Sequence, residues 1–272
     1  MTAWLICWTP LSLSGEACLR REDDMVNSFV EHIVWDWNGT IFGDSRALID
    51  ATIQAFAMCG MPPITVADYQ REHTQPIPVF YNRLAGRVLS DEEQAQLDEC
   101  FQAAYQRYRD NIMLTHDSID AMSLWRTANR SQSLLSMHPH DRLVPLIERT
   151  GISEFFTRVD GTIGVLTRKA PHLAEHLDRQ GIRADRAVVI GDSVDDARAA
   201  QACGAHCLLY HPGEDALHAR EHFQELGVPI VETLIDAVGQ LLDPSVGTLN
   251  RRLARADEPT VVGVVPAFEE SV

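Results

Sequence analysis

The sequence predicts an α/β protein whose core is a doubly wound parallel sheet and which carries an inserted all-helical domain. From residue 131 onward, short apolar segments alternate with segments of helical spacing. Between Ser45 and about Trp125 the pattern is helical throughout. Acidic residues follow two of the apolar segments, as expected at the carboxyl ends of parallel strands.

Composition limits the classes of function. The chain has 272 residues and 45% hydrophobic content, enough for one large domain or two modest ones with real cores. Charged residues make up 23%, which argues against global disorder. The formal net charge is -16, from 39 acidic and 23 basic residues. Such a surface repels phosphate backbones, so no nucleic-acid partner is expected.

The cysteines and the termini bear on localisation. The six cysteines form no C-x-x-C pair, which favours a reducing cytoplasm. No run approaches the ~18 apolar residues of a membrane-spanning helix, so no membrane partner is expected. Residues 1–28 are interpreted as an N-terminal extension, in preference to a signal peptide or an anchor, because a basic leading region is missing. Residues 244–272 lack periodicity and are predicted to be a mobile tail.

The first strand and the insert are defined by local signals. Residues 33–35 form a short apolar strand that ends at Asp36. The helical insert is predicted over residues 46–125, with residues 29–45 and 126–243 forming the core. Within the insert, Ser90 and Glu93 have the spacing of a capping box at the start of a long helix.

The remaining strands and helices alternate along the second part of the chain. The predicted strands are "SQSLLSM", "FTRVDG", "RAVVIGDS" and "HCLLYHPG". The predicted helices are "DRLVPLIERTGI", "APHLAEHLDRQGI" and "VDDARAAQACGA", and the final segment is "IVETLIDAVGQLL". This order is typical of a parallel sheet with helical crossovers.

Four features follow one another along this framework. They are Asp36 in "DWNGT", Ser136 in "SLLSM", Lys169 in "RKAPH", and Asp192 and Asp196 in "GDSVDD". Together, in this order and each in its expected strand or loop, they resemble the motifs of the haloacid dehalogenase superfamily of hydrolases. The similarity is greatest to the phosphoglycolate-phosphatase-like branch, which has a helical cap inserted after the first motif. It extends from about residue 29 to residue 242.

The resemblance implies a Rossmann-type core and hydrolysis of a small phosphate monoester, such as phosphoglycolate or a sugar phosphate, through an aspartyl-phosphate. Asp36 is then the nucleophile, and Lys169, the only lysine in the chain, neutralises the charge on Asp36 and on the phosphoryl group. Ser136 donates to a phosphoryl oxygen, and Gly39 lets the backbone approach the phosphate. The chemistry itself requires an oriented carboxylate, a cation and donors for the phosphoryl oxygens.

The implied cofactor is Mg²⁺, which prefers oxygen ligands. The expected ligands are the carboxylates of Asp36, Asp192 and Asp196 and the backbone carbonyl of Asn38. The expected partner is a small phosphorylated metabolite. The oligomeric state is left open.

Asn38 departs from the family pattern, which has a second aspartate at this position. An amide does not exchange a proton at neutral pH, and loss of general acid–base help costs ~10²–10⁴ in rate. One alternative is a slow phosphatase, or one with another proton donor. Phosphonate cleavage is disfavoured because it requires a cap lysine, which residues 46–125 lack. Dehalogenation is not favoured, because no residues indicate a halide pocket. A catalytically weakened phosphate-binding or regulatory protein is a further alternative, which ranks below a slow phosphatase.

Several other polar residues receive the simpler of two interpretations. Asp44 is interpreted as a loop cap in preference to a hinge-region acid. His138 and His140 are attributed to loop polarity in preference to metal binding. Arg83, Arg87 and Tyr81 are candidates for contact with an anionic substrate, although a solvated surface role is favoured.

Overall fold

The computed structural model describes residues 30–242, except for residues 75, 110 and 164–167. The predicted N-terminal extension and C-terminal tail therefore lie outside the described residues. Within the described part of the chain, no helix is both long enough and apolar enough to cross a membrane.

The core is a six-stranded sheet in which all neighbouring strands are parallel. The strands are β1 (His32–Trp35), β2 (Ser131–Pro139), β3 (Val159–Thr162), β4 (Ala187–Gly191), β5 (His206–Tyr210) and β6 (Ile230–Val231). Their order is β3-β2-β1-β4-β5-β6, so the winding reverses between β1 and β4. This topology confirms the predicted doubly wound sheet and places the switch point at the carboxyl ends of β1 and β4.

Helices form the insert and cover both faces of the sheet. They are α1 (Ser45–Met58), α2 (Val66–Glu72), α3 (Ile77–Ala85), α4 (Asp91–Arg109), α5 (Ser118–Thr127), α6 (His140–Thr150), α7 (Lys169–Asp178), α8 (Val194–Cys203), α9 (Glu221–Gln224) and α10 (Leu234–Leu242). The predicted capping box at the start of α4 is present, because Ser90 N–H donates to Glu93 and Glu93 N–H donates to the Ser90 hydroxyl.

Side chains of β1 point alternately to two apolar clusters, one on each face of the sheet. Ile33 and Trp35 are buried in the first cluster with residues of α5, α6 and α10. Val34 is buried in the second cluster with residues of α7 and α8. A third cluster lies within the insert and contains residues of α1 to α4.

Helix α5 packs with the core, although the predicted insert extended to residue 125. Ala121, Met122 and Trp125 belong to the same cluster as Ile33 and Trp35. The Trp125 indole also donates to the backbone oxygen of Ser131, at 2.7 Å. Helical spacing in the sequence shows which face of α5 is apolar, but it does not show that this face covers the sheet.

A chain of buried hydrogen bonds ties β1, β2, β3 and α7 together. It runs from Ser131 to His32, Ser133, His176 and Asp160, with 2.7 Å at each step. Because ionised Asp160 only accepts, Nδ1 of His176 donates to it. The Ser133 hydroxyl lies between Nε2 of His176 and Nε2 of His32, and Nδ1 of His32 contacts the Ser131 hydroxyl. This network anchors the helix that begins at Lys169.

Candidate active site

Three carboxylates meet at the switch point of the sheet. Asp36 directly follows β1, and its backbone N–H donates to Ile190 in β4, at 2.9 Å. Asp192 directly follows β4, and Asp196 lies in the first turn of α8. Ligand oxygens from the three carboxylates lie within 4.8 Å of one another, and all three residues are buried. The structure thus brings together the three acids singled out in the sequence.

Lys169 supplies the positive charge in this cluster. It is the first residue of α7, and its side chain is only 4% exposed. Its ammonium group donates to Asp36 and to Asp196, the latter at 2.5 Å. Asp196 is held in turn by the hydroxyl and the backbone N–H of Ser193, in the capping box that starts α8. The cap of α8 therefore also orients the partner of the lysine.

The electrostatics of the cluster favour an additional cation. Burial alone would lower the pKa of Lys169, but Asp196 and Asp36 outweigh it and raise that pKa, so the ammonium stays charged. Burial raises the pKa of Asp36, and Lys169 opposes that shift. Burial, and then the charges of Asp36 and Asp196, raises the pKa of Asp192 well above its usual range. Three carboxylates and one ammonium leave a net negative charge that a divalent cation would neutralise.

Asp192 has an oxygen suited to metal binding. Its Oδ2 is buried and has no hydrogen-bond partner among the residues described. Its Oδ1 accepts only a long hydrogen bond from Thr40, at 3.5 Å. Buried carboxylate oxygens are normally satisfied, so an unpaired one beside two other carboxylates fits an oxygen-ligated ion such as Mg²⁺.

Gly39 is required by the close approach of its backbone to Asp192. Its φ is +73°, a left-handed conformation. A Cβ atom at this position would lie 2.7 Å from Cγ of Asp192, and closer still to Oδ2. The absence of a side chain at residue 39 thus preserves the position of the unpaired carboxylate oxygen.

Ser136 lies where β2 passes the same end of the sheet. The register pairs Leu134 with Trp35, which places Ser136 beyond the end of β1, near Asp36. The residue is 3% exposed, and its hydroxyl oxygen accepts from the backbone N–H of His138, at 3.0 Å. The hydroxyl proton thus remains available to donate to a phosphoryl oxygen.

Asn38 is held by a carboxylate from the same loop. Its Nδ2 donates to Asp44 Oδ2 at 2.5 Å, and the Gly39 N–H donates to Asp44 Oδ1 at 2.8 Å. Asp44 precedes α1, and its side chain makes no cap hydrogen bond to that helix but accepts from two donors of this loop, as predicted for a loop cap. Burial raises the pKa of Asp44 to about 6, against the effect of these hydrogen bonds. Through these two hydrogen bonds, the Asp44 carboxylate holds both the side chain of Asn38 and the backbone of Gly39 in place.

The insert reaches this loop through Tyr105 of α4. The Tyr105 hydroxyl donates to Asp44 Oδ2, at 3.3 Å. Tyr69 of α2 is also buried, and the charges of Asp44 and Asp192 contribute to the raised pKa of its phenol. Sequence reasoning did not identify either tyrosine, because helical spacing alone does not show which residue of a helix faces another domain.

A second contact holds the insert over the sheet. Gln70 of α2 donates to the backbone oxygens of Glu214 and Ala216, and its own backbone oxygen accepts from Ala219. Leu217 from the same core loop is buried in the apolar cluster of the insert. The insert therefore contacts the core at this loop as well as at its connections, and the three acids of the cluster are buried.

The other insert residues named from the sequence lie elsewhere. Tyr81 is buried in the cluster of the insert, with its ring edge-on to Phe56. Arg87 is exposed and pairs with Glu93 at 2.6 Å, and Arg83 is exposed.

Solved structures share this fold. A haloacid dehalogenase-like family protein from Streptococcus pneumoniae superposes with a TM-score of 0.64 and 15% identity, covering 77% of this chain and 97% of that one. A HAD family hydrolase from Deinococcus radiodurans, solved with bound phosphate and sodium, has a TM-score of 0.63 and 17% identity, covering 79% and 97%. At these identities the likeness concerns the fold alone.

Curated relatives match over most of their length. The phosphoglycolate phosphatase of Mesorhizobium japonicum is 25% identical over 221 residues, which is 76% of this chain and 97% of the relative. The phosphoglycolate phosphatase of Yersinia pestis is 27% identical over 186 residues, which is 66% of this chain and 80% of the relative.

The family model for haloacid dehalogenase-like hydrolases matches residues 30–204, which is more than half of the chain. This match covers Asp36, Lys169, Asp192 and Asp196, the residues that form the charged cluster. The sheet topology and the buried cluster at its switch point agree with it. The chain belongs to the haloacid dehalogenase-like hydrolases.

Proposed function

We propose that this protein is a Mg²⁺-dependent phosphatase that hydrolyses a small phosphate monoester through an aspartyl-phosphate on Asp36. The observation that carries the proposal is the position of Asp36, buried at the switch point between Lys169 and an unpaired oxygen of Asp192. The names of the curated relatives support the substrate class, with phosphoglycolate or a sugar phosphate as the model substrates.

In the proposed reaction, an oxygen of Asp36 attacks phosphorus and the ester oxygen leaves with its electron pair. Water then attacks the phosphorus of the aspartyl-phosphate, which releases inorganic phosphate and a proton and restores the carboxylate. Lys169 and the hydroxyl of Ser136 donate to phosphoryl oxygens, and the insert keeps bulk water from the site.

The residues that would hold Mg²⁺ are Asp36, Asp192 and the backbone carbonyl of Asn38, with Asp196 completing the shell. When bound, the ion supplies charge neutralisation for the carboxylate and the phosphoryl group. Asp196 has a second function in this proposal, since its Oδ1 accepts from Lys169.

The expected partner is a small phosphorylated metabolite, in agreement with the names of the curated relatives. Cytoplasmic localisation remains a prediction from the cysteine spacing, and the absence of a nucleic-acid partner remains a prediction from the net charge.

The test is phosphate release from a panel of monoesters with Mg²⁺. Asp36→Asn should abolish turnover, because an amide neither attacks phosphorus at a useful rate nor provides the negative charge. Asp178→Asn is the matched control, since Asp178 is exposed at the end of α7, and this variant should retain turnover. Equal turnover by wild type and Asp36→Asn would refute the assignment of the nucleophile.

The second candidate is a phosphate-binding or regulatory protein without turnover, which is favoured by the amide at Asn38. Wild type and Asp36→Asn separate the two candidates. Binding of inorganic phosphate by the wild type without release from any ester would support this second function.

A further inference from the structure

We propose that Asp44 is a positioning residue that fixes the amide of Asn38, and that this pair restricts the site to phosphate esters whose leaving oxygen is stable as an anion. The substrates of this class are esters of enols or phenols, in which the departing charge is delocalised. The proposal rests on the proposed function and narrows its substrate class, since phosphoglycolate and most sugar phosphates are alkyl esters and should then be poor substrates.

The first step is the orientation of the Asn38 amide. Asp44 accepts from three groups, namely Nδ2 of Asn38, the backbone N–H of Gly39 and the hydroxyl of Tyr105. The N–H of Gly39 can only donate, so Asp44 acts as an acceptor in this cluster. With the Asp44 carboxylate ionised, the atom of Asn38 that faces Oδ2 is the NH₂ group, and the amide oxygen points away from it.

The second step is the chemistry that this orientation allows. An amide oxygen accepts a hydrogen bond and can align an attacking water molecule. It has no proton to give to a leaving alkoxide. The NH₂ group has a donor directed to Asp44, 2.5 Å away, and does not release a proton at neutral pH.

The third step concerns the other acids of the cluster. Asp36 is the proposed nucleophile, and Asp192 and Asp196 are proposed metal ligands. Asp44 is occupied by its three donors. None of these four carboxyl groups is thus placed to protonate the leaving oxygen, and the proposal is that this oxygen departs as an anion.

The consequence is a dependence of rate on the leaving group. General acid catalysis is worth ~10²–10⁴ in rate, and the benefit is greatest for basic leaving groups. Without it, alkyl phosphates should react ~10²–10⁴ more slowly than aryl phosphates of similar size. Residue 38 then determines which leaving groups react, and Asp44 contributes by orienting the Asn38 amide.

The test uses phenyl phosphates with nitro, halogen and alkyl substituents, with cyclohexyl phosphate as the alkyl counterpart of phenyl phosphate. The quantity measured is kcat/KM, which includes formation of the aspartyl-phosphate but not its hydrolysis. For the wild type, log kcat/KM should fall steeply as the leaving-group pKa rises.

The matched variant exchanges the two side chains, as Asn38→Asp with Asp44→Asn. The exchange keeps one amide and one carboxylate in contact but places the acid at residue 38. It should flatten the dependence and raise kcat/KM for cyclohexyl phosphate by ~10² relative to nitrophenyl phosphate. If residue 38 did not act on the leaving oxygen, the exchange would change kcat/KM for all substrates alike and would leave the slope unaltered.

Two results would overturn the inference. A shallow dependence in the wild type, with cyclohexyl and phenyl phosphates turned over at similar rates, would show that another group protonates the leaving oxygen; the phosphatase assignment would survive. No Mg²⁺-dependent release from any ester, nitrophenyl phosphate included, would overturn the proposed function and the inference together.

Discussion

Replacing Gly39 by alanine should impair metal binding by displacing Asp192. The new Cβ would lie 2.7 Å from Cγ and 3.1 Å from Oδ1 of Asp192, so the carboxylate must shift. The backbone also contributes to any loss of stability, independently of Asp192, because a left-handed conformation costs an L-residue about 1–2 kcal/mol. The experiment therefore needs a control with the same backbone cost.

Gly151→Ala provides that control. Gly151 ends α6 with φ of +73°, the same value as Gly39, and a Cβ there would have no described atom within 4 Å. Without metal, both variants should lose about 1–2 kcal/mol of stability from the backbone conformation, and Gly39→Ala should lose more because Asp192 must shift. Only Gly39→Ala should also lose Mg²⁺ affinity, and changes around metal ligands typically cost about 10–100-fold.

The assay is urea unfolding with and without Mg²⁺, supported by calorimetric titration of Mg²⁺. At a Mg²⁺ concentration 100 times the wild-type Kd, binding should stabilise the wild type and Gly151→Ala by about 2.7 kcal/mol. If the Kd of Gly39→Ala rises about 100-fold, its gain falls to about 0.4 kcal/mol. Equal gains in the two alanine variants would show that Asp192 is not a metal ligand or that its loop yields without cost.

Three further substitutions test the surroundings of the cluster. Lys169→Met should destabilise the metal-free protein by about 3–5 kcal/mol because Asp36 and Asp196 lose their buried counter-charge, and Mg²⁺ should restore part of it in urea unfolding. Ser136→Ala should weaken phosphate binding about 10-fold or more, seen as a raised KM with a smaller change in kcat; a change confined to kcat would contradict a binding role. Burial, and then the charge of His176, lowers the pKa of His32 to about 3. Between pH 6.5 and 3 the unfolded chain therefore binds a proton at His32 that the folded protein does not bind. The free energy of unfolding should fall as the pH drops through this range. His32→Gln should show a shallower fall over pH 7 to 4 in urea unfolding, and identical slopes would argue against this assignment.

The parts of the site that follow strands were predictable from the sequence. A buried parallel strand is a short apolar run, and the residue after it must lie at the carboxyl edge of the sheet. This rule places Asp36 and Asp192 at the same edge of the sheet, and the strand order observed in the structure makes them neighbours. Lys169 begins a helix after a loop, and its placement rested on the resemblance to the family because spacing alone does not direct a lysine toward two carboxylates.

Contacts between distant segments were not predictable. Tyr105 reaches Asp44 across 61 residues, and Gln70 reaches the core loop across more than 140. Such contacts depend on how the insert lies on the sheet. For α5 as well, the sequence shows which face is apolar but not that this face packs on the core sheet. The strand β6 has two residues, too few for any periodicity to show.

The effect of Asn38, which replaces the second aspartate of the family motif, depends on its hydrogen-bond partner Asp44. From the sequence alone, the substitution Asn38→Asp would be expected to restore the missing acid at this position. In the structure Asn38 faces Asp44 at 2.5 Å, so Asn38→Asp would place a half-buried carboxylate in contact with a buried one. Like charges this close cannot both ionise, so one would hold a proton, which the two would share as a coupled pair. The single substitution would thus replace a donor–acceptor contact by a competition for one proton, whereas the exchange of both side chains preserves the contact. Residues 38 and 44 must therefore be changed together if the effect of an acid at position 38 is to be measured.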